Sequence, residues 1–509
     1  MSKEYFYITT PIYYPNSVPH IGHAYTTVVA DVLNRYENFF GKITFFMTGT
    51  DEHGQKILEA AKKSGMETMA FVDKIVKEFQ DSWKALLVNP NKFIRTSDPE
   101  HIKVVQYALN DLFNKGDIYK KGYSGWYCVS EEIFYTEKDL VDGKTPTGKE
   151  VIYVTEENYF FKMSKYQDRL IKYINENKNY ICPESRRQEV LGFLRNPLSD
   201  LCISRPKSRV PWGIELPFDK DYVTYVWFDA LINYISGIGF LERENNDFNN
   251  FWKESHHLIG KDILTTHAVY WSTMLMALDI PLPKQIFAHG WWLNSESKKM
   301  SKSEGDVISP SSLCETFGAE AFRYYMCRGG KFGLDVPFSI DTMKERLNDE
   351  LANNYGNLVS RSFKIVEKDF EGIVPSVEIK LETSKELIKE EEKLSLFVKE
   401  SVESFNIDTA VFEISNFLKK VNKYFGDLEP WKCKKQGETQ KEAECLYVTL
   451  DALRVASILF SPILIDTSKK VLNALNVPSD ERTYNHTLTF GKLKAGSKIE
   501  MLSPIFMKY

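Results

Sequence analysis

Hydrophobic and polar positions follow two rhythms along the first third of the chain. Tyr5 to Thr10 is a short apolar and β-branched run and predicts a strand, Ala24 to Phe40 repeats apolar residues at helical spacing, and Ile43 to Thr48 predicts a second strand. A loop and another helical pattern follow, so the order is that of an α/β unit. Between 116 and 220 the texture shifts to short Gly-, Lys- and aromatic-rich strands, Gly122 to Tyr127 and Val151 to Tyr153 among them, which predicts an insertion. Strand–helix alternation resumes at Tyr222. From about Glu345 the chain becomes Lys/Glu-rich and helical, with Leu347, Leu351, Tyr355 and Leu358 on one stripe, predicting a separate all-helical domain. Glu371 to Thr383 reads as a loose surface connection.

Composition narrows the class. The 509 residues carry 65 Lys+Arg against 70 Asp+Glu, a net charge of -5, with 43% hydrophobic and 27% charged residues. That excludes collagen-like, low-complexity and mostly disordered chains, and it excludes a basic coat over the whole surface while leaving room for a local basic patch. Seven cysteines are few and odd in number, which argues against a disulfide framework and for a reducing compartment, read as the cytoplasm. No secretory or transit pattern is visible at the start, and the apolar run from Val455 to Ile465 is too short to span a bilayer, so no membrane association is expected.

Two segments carry candidate chemistry. The first, Pro11-Ile-Tyr-Tyr-Pro-Asn-Ser-Val-Pro-His-Ile-Gly-His23, lies between the first strand and a helix expected from about Gly22. Histidines three apart fall on one side of the helix entrance, where unpaired N–H groups and the helix dipole favour phosphate, and Gly22 lets a planar base approach the backbone. Alone, such a pair is also met as two ordinary loop histidines. The second segment, Lys299-Met-Ser-Lys-Ser303, sets two lysines three apart in a Ser/Gly-flanked loop, a cationic clamp for phosphate charge or, taken singly, a solvated basic loop. Gly49-Thr-Asp-Glu-His-Gly54 has the spacing of a P-loop, but Gln55-Lys56 stands where Lys-Ser/Thr is required, and no Gly-x-Gly-x-x-Gly opens a helix.

In this order and about 280 residues apart, the two motifs resemble the paired signatures of the class I aminoacyl-tRNA synthetases. Within that class the chain is similar to the methionyl-tRNA synthetases through Pro11 to His23, Thr48 to Gly54, Ile203-Ser-Arg205, Tyr225 to Leu231, Gly260-Lys-Asp-Ile263 and Asn357 to Arg361. The insertion of about 100 residues is shorter than the editing module of the leucyl, isoleucyl and valyl relatives. The lone cysteines offer no thiolate-binding zinc of the cysteinyl kind.

The resemblance implies a Rossmann-like α/β catalytic domain in two halves, 1–115 and 221–295, around an inserted connective domain at 116–220. A lysine-loop and stem-contact region at 296–345 and an all-α anticodon-binding helical bundle at 346–509 complete the expected order. It implies that His20, Gly22, His23, Asp262, Lys299 and Lys302 face ATP, which enters with Mg²⁺, and that His20, His23, Lys299 and Lys302 are catalytic. By the same resemblance Ile12, Tyr14, Asp51, Arg205, Trp227, Ala230, Leu231, Tyr234, Ile263 and His267 form the methionine pocket. Asp51 would hold the substrate ammonium with Arg205 supporting it, although an N-cap role for Asp51 and core packing for the helically spaced Trp227, Ala230, Leu231 and Tyr234 stay open from the residues alone.

Asn357, Arg361 and Trp431 match anticodon-contacting positions, which implies a tRNA(Met) partner with a CAU anticodon; an i,i+4 polar pair and a core Trp are the plainer reading. Many relatives place Cys-x-x-Cys pairs in the insertion, whereas here the stretches read Cys128-Val-Ser-Glu131 and Thr145-Pro-Thr-Gly148, so a zinc-free insertion is expected. The chain ends soon after the helical domain, which suggests a monomer. A catalytically inactive tRNA-binding relative and a nucleotidyl-transferring enzyme of the His-x-Gly-His superfamily remain the alternatives to a methionine-activating ligase.

Overall fold

The computed structural model describes residues 3–128, 133–135, 137–244, 246–294 and 309–509. At its centre is a parallel sheet of six strands, β1 (Tyr5–Thr9), β2 (Ile43–Thr50), β3 (Lys92–Arg95), β4 (Ile181–Cys182), β5 (Ser255–Gly260) and β6 (Gln285–His289), in the order β3-β2-β1-β5-β6-β4. Strand β1 lies between two parallel neighbours and is buried on both faces, which is why it reads as an almost unbroken apolar run. Its polar exceptions are satisfied across strands: Thr9 Oγ1 lies 2.8 Å from His257 Nδ1, and in the loop beyond it Thr10 Oγ1 lies 2.7 Å from Thr48 Oγ1.

Helix α1 (Ile21–Phe39) begins three residues earlier than its apolar periodicity indicates, because His20 caps it: its Nδ1 accepts the Gly22 N–H at 3.1 Å. Beyond Phe40, Gly41 adopts φ +98, a conformation that favours glycine, and turns the chain into β2. Helix α2 (Pro99–Asn114), with proline in its first turn, packs beside the sheet.

The insertion differs from its sequence reading in two ways. Its two short strands are one long antiparallel pair, Ile118–Cys128 with Ile152–Phe161, in a four-stranded sheet. And Ile181–Cys182, inside the stretch read as insertion, is strand β4 of the catalytic sheet, paired with Ile286 and Phe287. Two residues are too short a run for periodicity to register. A three-stranded sheet of Ser204–Pro206, Glu215–Leu216 and Asp219–Thr224 then leads into α3 (Val226–Leu231). Of the stretches that replace the cysteine pairs, 129–131 lie outside the described residues. The 145–149 turn is closed by hydroxyls, with Thr145 Oγ1 at 2.8 Å from Thr147 Oγ1 and accepting the Lys149 N–H at 3.1 Å. Among the described residues no group of three or more His, Cys, Asp or Glu side chains could hold a metal ion.

Helix α4 (Ala319–Arg328) leads to the helical part, which comprises α5 (Asn357–Phe370), α6 (Glu382–Glu403), α7 (Ile407–Leu428), α8 (Pro430–Gln436) and α9 (Thr439–Phe460). Every residue of α9 from Glu442 to Phe460 is buried, so it is the axis of the bundle, and its apolar positions run all round it. The Leu347, Leu351, Tyr355 and Leu358 stripe is wholly buried as read. The segment 371–383 is not a loose connection: Val374 is fully buried and its N–H bonds Ser497 O at 2.8 Å, a long-range pin that local composition does not encode. Among the described residues no helix is long and apolar enough to cross a membrane.

Candidate active site

The C-terminal ends of β1, β2, β5 and β6 open on one cavity of about 580 Å³, the place where an open parallel sheet binds its ligand. One side is the entrance of α1. The His20 and His23 rings stack with centroids 3.7 Å apart, and His23 also lies 4.5 Å from the Tyr13 ring. Because His20 Nδ1 accepts the Gly22 N–H, a neutral His20 carries its proton on Nε2, the nitrogen away from the cap. A Cβ on Gly22 would come within 3.0 Å of His20 Cε1, so the close stacking of this entrance depends on glycine.

The loop after β2 forms the floor. Tyr13 N bonds Gly49 O at 3.0 Å and Asp51 N bonds Tyr13 O at 2.9 Å, which fixes Asp51 beside the Pro11 to Tyr14 segment. Asp51 is 2% exposed and lines the cavity; it does not cap a helix, since the next helix starts at Gln55 with Gly54 before it. Glu52, turned the other way, is held by Arg95 at 2.7 and 3.1 Å, by Ser97 Oγ at 2.5 Å and by Thr50 Oγ1 at 2.7 Å.

The opposite side is apolar and aromatic. Ile12, Tyr14, Trp227, Ala230, Leu231, Tyr234, Ile263 and His267 all line the cavity, as does Asp262. His267 donates from Nδ1 to Ile263 O at 2.9 Å, so its Nε2 accepts the Tyr234 hydroxyl at 2.7 Å. Burial pushes the His267 pKa down to about 4 and raises that of Tyr234, which keeps this polar end of the cup uncharged. Behind it His257, its pKa also lowered by burial, stacks on Tyr234 at 4.1 Å and accepts the Trp271 indole N–H at 3.2 Å.

Not every candidate reaches the cavity. Arg205 is not among its lining residues; it is 4% exposed, donates to Ser204 O at 2.7 Å, and sets its guanidinium over the Tyr225 ring at 4.4 Å and the Tyr127 ring at 5.3 Å. Lys299 and Lys302 lie outside the described residues. Sequence reasoning missed His289, Gly290 and Trp291, which close the cavity from the end of β6. His289 Nε2 accepts the Thr26 hydroxyl at 2.8 Å and Trp291 Nε1 donates to Asp262 Oδ1 at 3.1 Å. The available signal was positional: a His-Gly step ending an apolar strand of a parallel sheet.

Asn357 and Arg361 sit on α5, and Trp431 is at the start of α8 and 38% exposed. The half-buried Arg361 guanidinium lies between the buried Phe425 ring at 5.0 Å and the exposed Trp431 ring at 5.1 Å.

A parallel sheet with a capped His-x-Gly-His helix at its ligand-binding edge, followed by a helical domain, defines the class I aminoacyl-tRNA synthetases. Residues 6–152 and 138–363 match the family described as tRNA synthetases class I (M), and residues 374–509 match the anticodon binding domain of methionyl tRNA ligase. The chain belongs to the methionyl-tRNA synthetase family. It is 43% identical over 500 residues to the methionine–tRNA ligase of Caldanaerobacter subterraneus subsp. tengcongensis, covering 98% of this chain and 78% of that one. It is 44% identical over 507 residues to that of Clostridium acetobutylicum, covering 99% and 78%. Among solved structures it superposes on Mycobacterium tuberculosis methionyl-tRNA synthetase in complex with methionyl-adenylate with a TM-score of 0.95 and 36% identity, covering 99% of each chain.

Proposed function

We propose that this cavity activates L-methionine with ATP and passes the methionyl group to the 3′ end of tRNA(Met). The observation that carries the reading is that the stacked His20/His23 entrance, the buried carboxylate of Asp51 and the uncharged Tyr234–His267 cup face one another across a single cavity.

ATP enters as its magnesium complex with its phosphates toward His20, His23 and the start of α1, whose N–H groups and dipole attract anionic oxygens. Methionine places its thioether in the cup of Trp227, Ala230, Leu231, Tyr234 and His267, which is apolar and polarizable enough for sulfur, and its ammonium toward Asp51. Its carboxylate oxygen then attacks the α-phosphorus, forming the acyl–phosphate bond as the bond to the pyrophosphate oxygen breaks. Catalysis is positioning and neutralisation of phosphate charge, to which Lys299 and Lys302 are proposed to contribute. In the second step the 2′-hydroxyl of the terminal adenosine attacks the methionyl carbonyl and AMP leaves. Arg205 braces the wall from behind through Tyr225, the residue before α3, rather than touching substrate.

Asn357, Arg361 and Trp431 are proposed to read the CAU anticodon, the Trp431 face receiving an unstacked base. The five-part division at 115, 220, 295 and 345 is kept as a working proposal, with β4 assigned to the catalytic sheet. The insertion is proposed to fold without zinc, the protein to work in the cytoplasm, and the working unit to be a single chain.

Amino-acid-dependent ATP–pyrophosphate exchange across all twenty amino acids, without tRNA, tests the reading. Exchange stimulated by methionine alone is the expected result. Exchange with another amino acid overturns the pocket assignment, and none with any favours a tRNA-binding protein without turnover.

A further inference from the structure

The turn that carries Asp51 is fastened from three directions, and one fastening comes from a segment with no role in the reading so far. Arg95 holds Glu52 from β3, and Asp229 of α3 holds His53 with Oδ2 at 2.6 Å from His53 Nδ1. Asp229 is fully buried and its other oxygen lies 2.7 Å from His101 Nε2 on α2, so it ties the turn to the pocket helix and to α2 at once. The third fastening is Trp212, in the loop between the Ser204–Pro206 and Glu215–Leu216 strands. Its indole Nε1 donates to Glu52 O at 2.5 Å, its carbonyl accepts the Gly54 N–H at 3.2 Å, and its ring lies 5.6 Å from His53. It therefore grips the backbone on both sides of His53.

This grip has geometric requirements of its own. Gly54 adopts φ +104, which presents its N–H to Trp212, and a Cβ on Gly213 would press on Val223 Cβ at 3.0 Å, so one of the two would have to shift. The same small sheet runs from Asp219–Thr224 directly into α3, with Tyr225 N bonded to Ile203 O at 2.7 Å. Trp212 thus connects the Asp51 turn to the element that leads into the Trp227, Ala230 and Leu231 wall.

We propose that Trp212 is a positioning residue for recognition of the substrate amino group: by clamping the Glu52–Gly54 turn it sets Asp51 at the place where an α-ammonium meets it while the side chain occupies the α3 cup. The inference rests on the proposed role of Asp51. Trp212→Phe keeps a six-membered ring near His53 and removes the indole donor together with its five-membered ring, so the turn loses the bond to Glu52 O while the residues of the cup are untouched.

The test compares methionine with 4-(methylsulfanyl)butanoate, which has the same thioether and carboxylate and no amino group. Their dissociation constants are measured in the wild type, Trp212→Phe and Asp51→Asn, and KM for ATP is measured in pyrophosphate exchange. In Trp212→Phe the preference for methionine over the desamino compound falls about tenfold, the scale of one well-placed hydrogen bond, while binding of the desamino compound and KM for ATP hold their wild-type values.

Equal weakening of both compounds, or no change in either, overturns the inference. A preference lost in Asp51→Asn and kept in Trp212→Phe overturns it while leaving the reading of Asp51 in place; a preference kept in Asp51→Asn overturns both. Should Trp212→Phe fail to fold, Gly213→Ala, whose methyl displaces Trp212 against Val223, gives the same selective loss if the inference holds and a uniform loss or none if it does not.

Discussion

Acidification is the sharpest probe of the Tyr234–His267 pair. Buried in the cup, His267 has its pKa depressed from the ordinary 6.5 to about 4, with desolvation as the leading cause and the Nδ1 bond to Ile263 O and the nearby Asp262 carboxylate opposing it. At pH 5.5 about 3% of folded rings would then carry a second proton, against about nine in ten exposed imidazoles. A proton on Nε2 would set an imidazolium N–H against the Tyr234 hydroxyl and remove its acceptor. The structure therefore requires methionine affinity to stay flat from pH 8 to 5.5 as far as this pair is concerned. Stability should not stay flat. Between pH 4 and 6.5 the unfolded ring binds a proton that the folded one refuses, so this residue's contribution is whole above pH 6.5 and is lost progressively as pH falls toward 4. From pH 7.5 to 5 the loss is about 2 kcal/mol, and at its limit about 3 kcal/mol. Other buried groups shift the total, Glu391 in the opposite direction because burial pushes its carboxyl pKa up, so the informative quantity is the difference from His267→Gln. Urea unfolding at the two pH values, followed by tryptophan fluorescence, should show the wild type losing about 2 kcal/mol more than the variant, and methionine titration should show equal affinity at pH 7.5 and 5.5. A tenfold fall in wild-type affinity at pH 5.5 that His267→Gln abolishes would refute the neutral pair.

Three further outcomes are expected. Arg323→Met should lower stability by about 3 kcal/mol or more in thermal and urea unfolding, because it leaves Asp31 and the carbonyls of Leu86, Pro462 and Ile463 buried without their shared donor; an unchanged melting temperature would show the joint to be idle. Arg361→Ala, which removes the cation between Phe425 and Trp431, should slow tRNA charging by about ten- to a hundredfold and leave pyrophosphate exchange unchanged, since a base contact is worth about 1 to 3 kcal/mol. Metal analysis of purified protein should find well under one zinc per chain, and zinc chelation should leave its melting temperature unchanged.

The elements that could be read from sequence are those whose burial is uniform along their length. Strand β1, helix α1 and the Leu347 to Leu358 stripe each present one repeating environment, so local pattern and tertiary position agree. Strand β4 failed for the opposite reason: two residues that pair with Ile286 and Phe287, a hundred positions away, carry no period of their own. The 371–383 segment failed likewise, pinned by Ser497 from the far end of the chain. In the site, His20, Gly22, His23, Asp51, Trp227 and Asp262 line one cavity, whereas His289, Gly290 and Trp291 enter it through strand order, which sequence alone does not set. Arg205 entered through the resemblance as a support for Asp51; in the structure it stands outside the cavity lining, its guanidinium over the rings of Tyr127 and Tyr225 and bonded to Ser204 O, contacts made through the sheet that sequence alone does not set.

Helix α1 joins these parts mechanically. Its first turn stacks His20 on His23 at the cavity, and about 28 Å of continuous helix leads to its other end. There Tyr36 donates to Leu459 O of α9 at 2.9 Å, and Asp31 meets the fully buried Arg323 at 2.7 Å, whose remaining donors reach Pro462 and Ile463 just beyond α9. Both contacts are buried and directional, so sliding the helical bundle along α1 would break charge-assisted bonds with no water to replace them. Rotation about the joint meets the same obstacle, since Lys42 pairs with both Glu37 and Glu403, and Lys399 lies over Phe40 and Tyr484. The helical domain is therefore held to the rear of the very helix that presents His20 and His23 to the cavity, and the distance between the Arg361–Trp431 pair and the cavity is fixed by the fold rather than by a linker. A ligand spanning both must match that spacing, a length constraint that neither an isolated pocket nor an isolated helical bundle could impose.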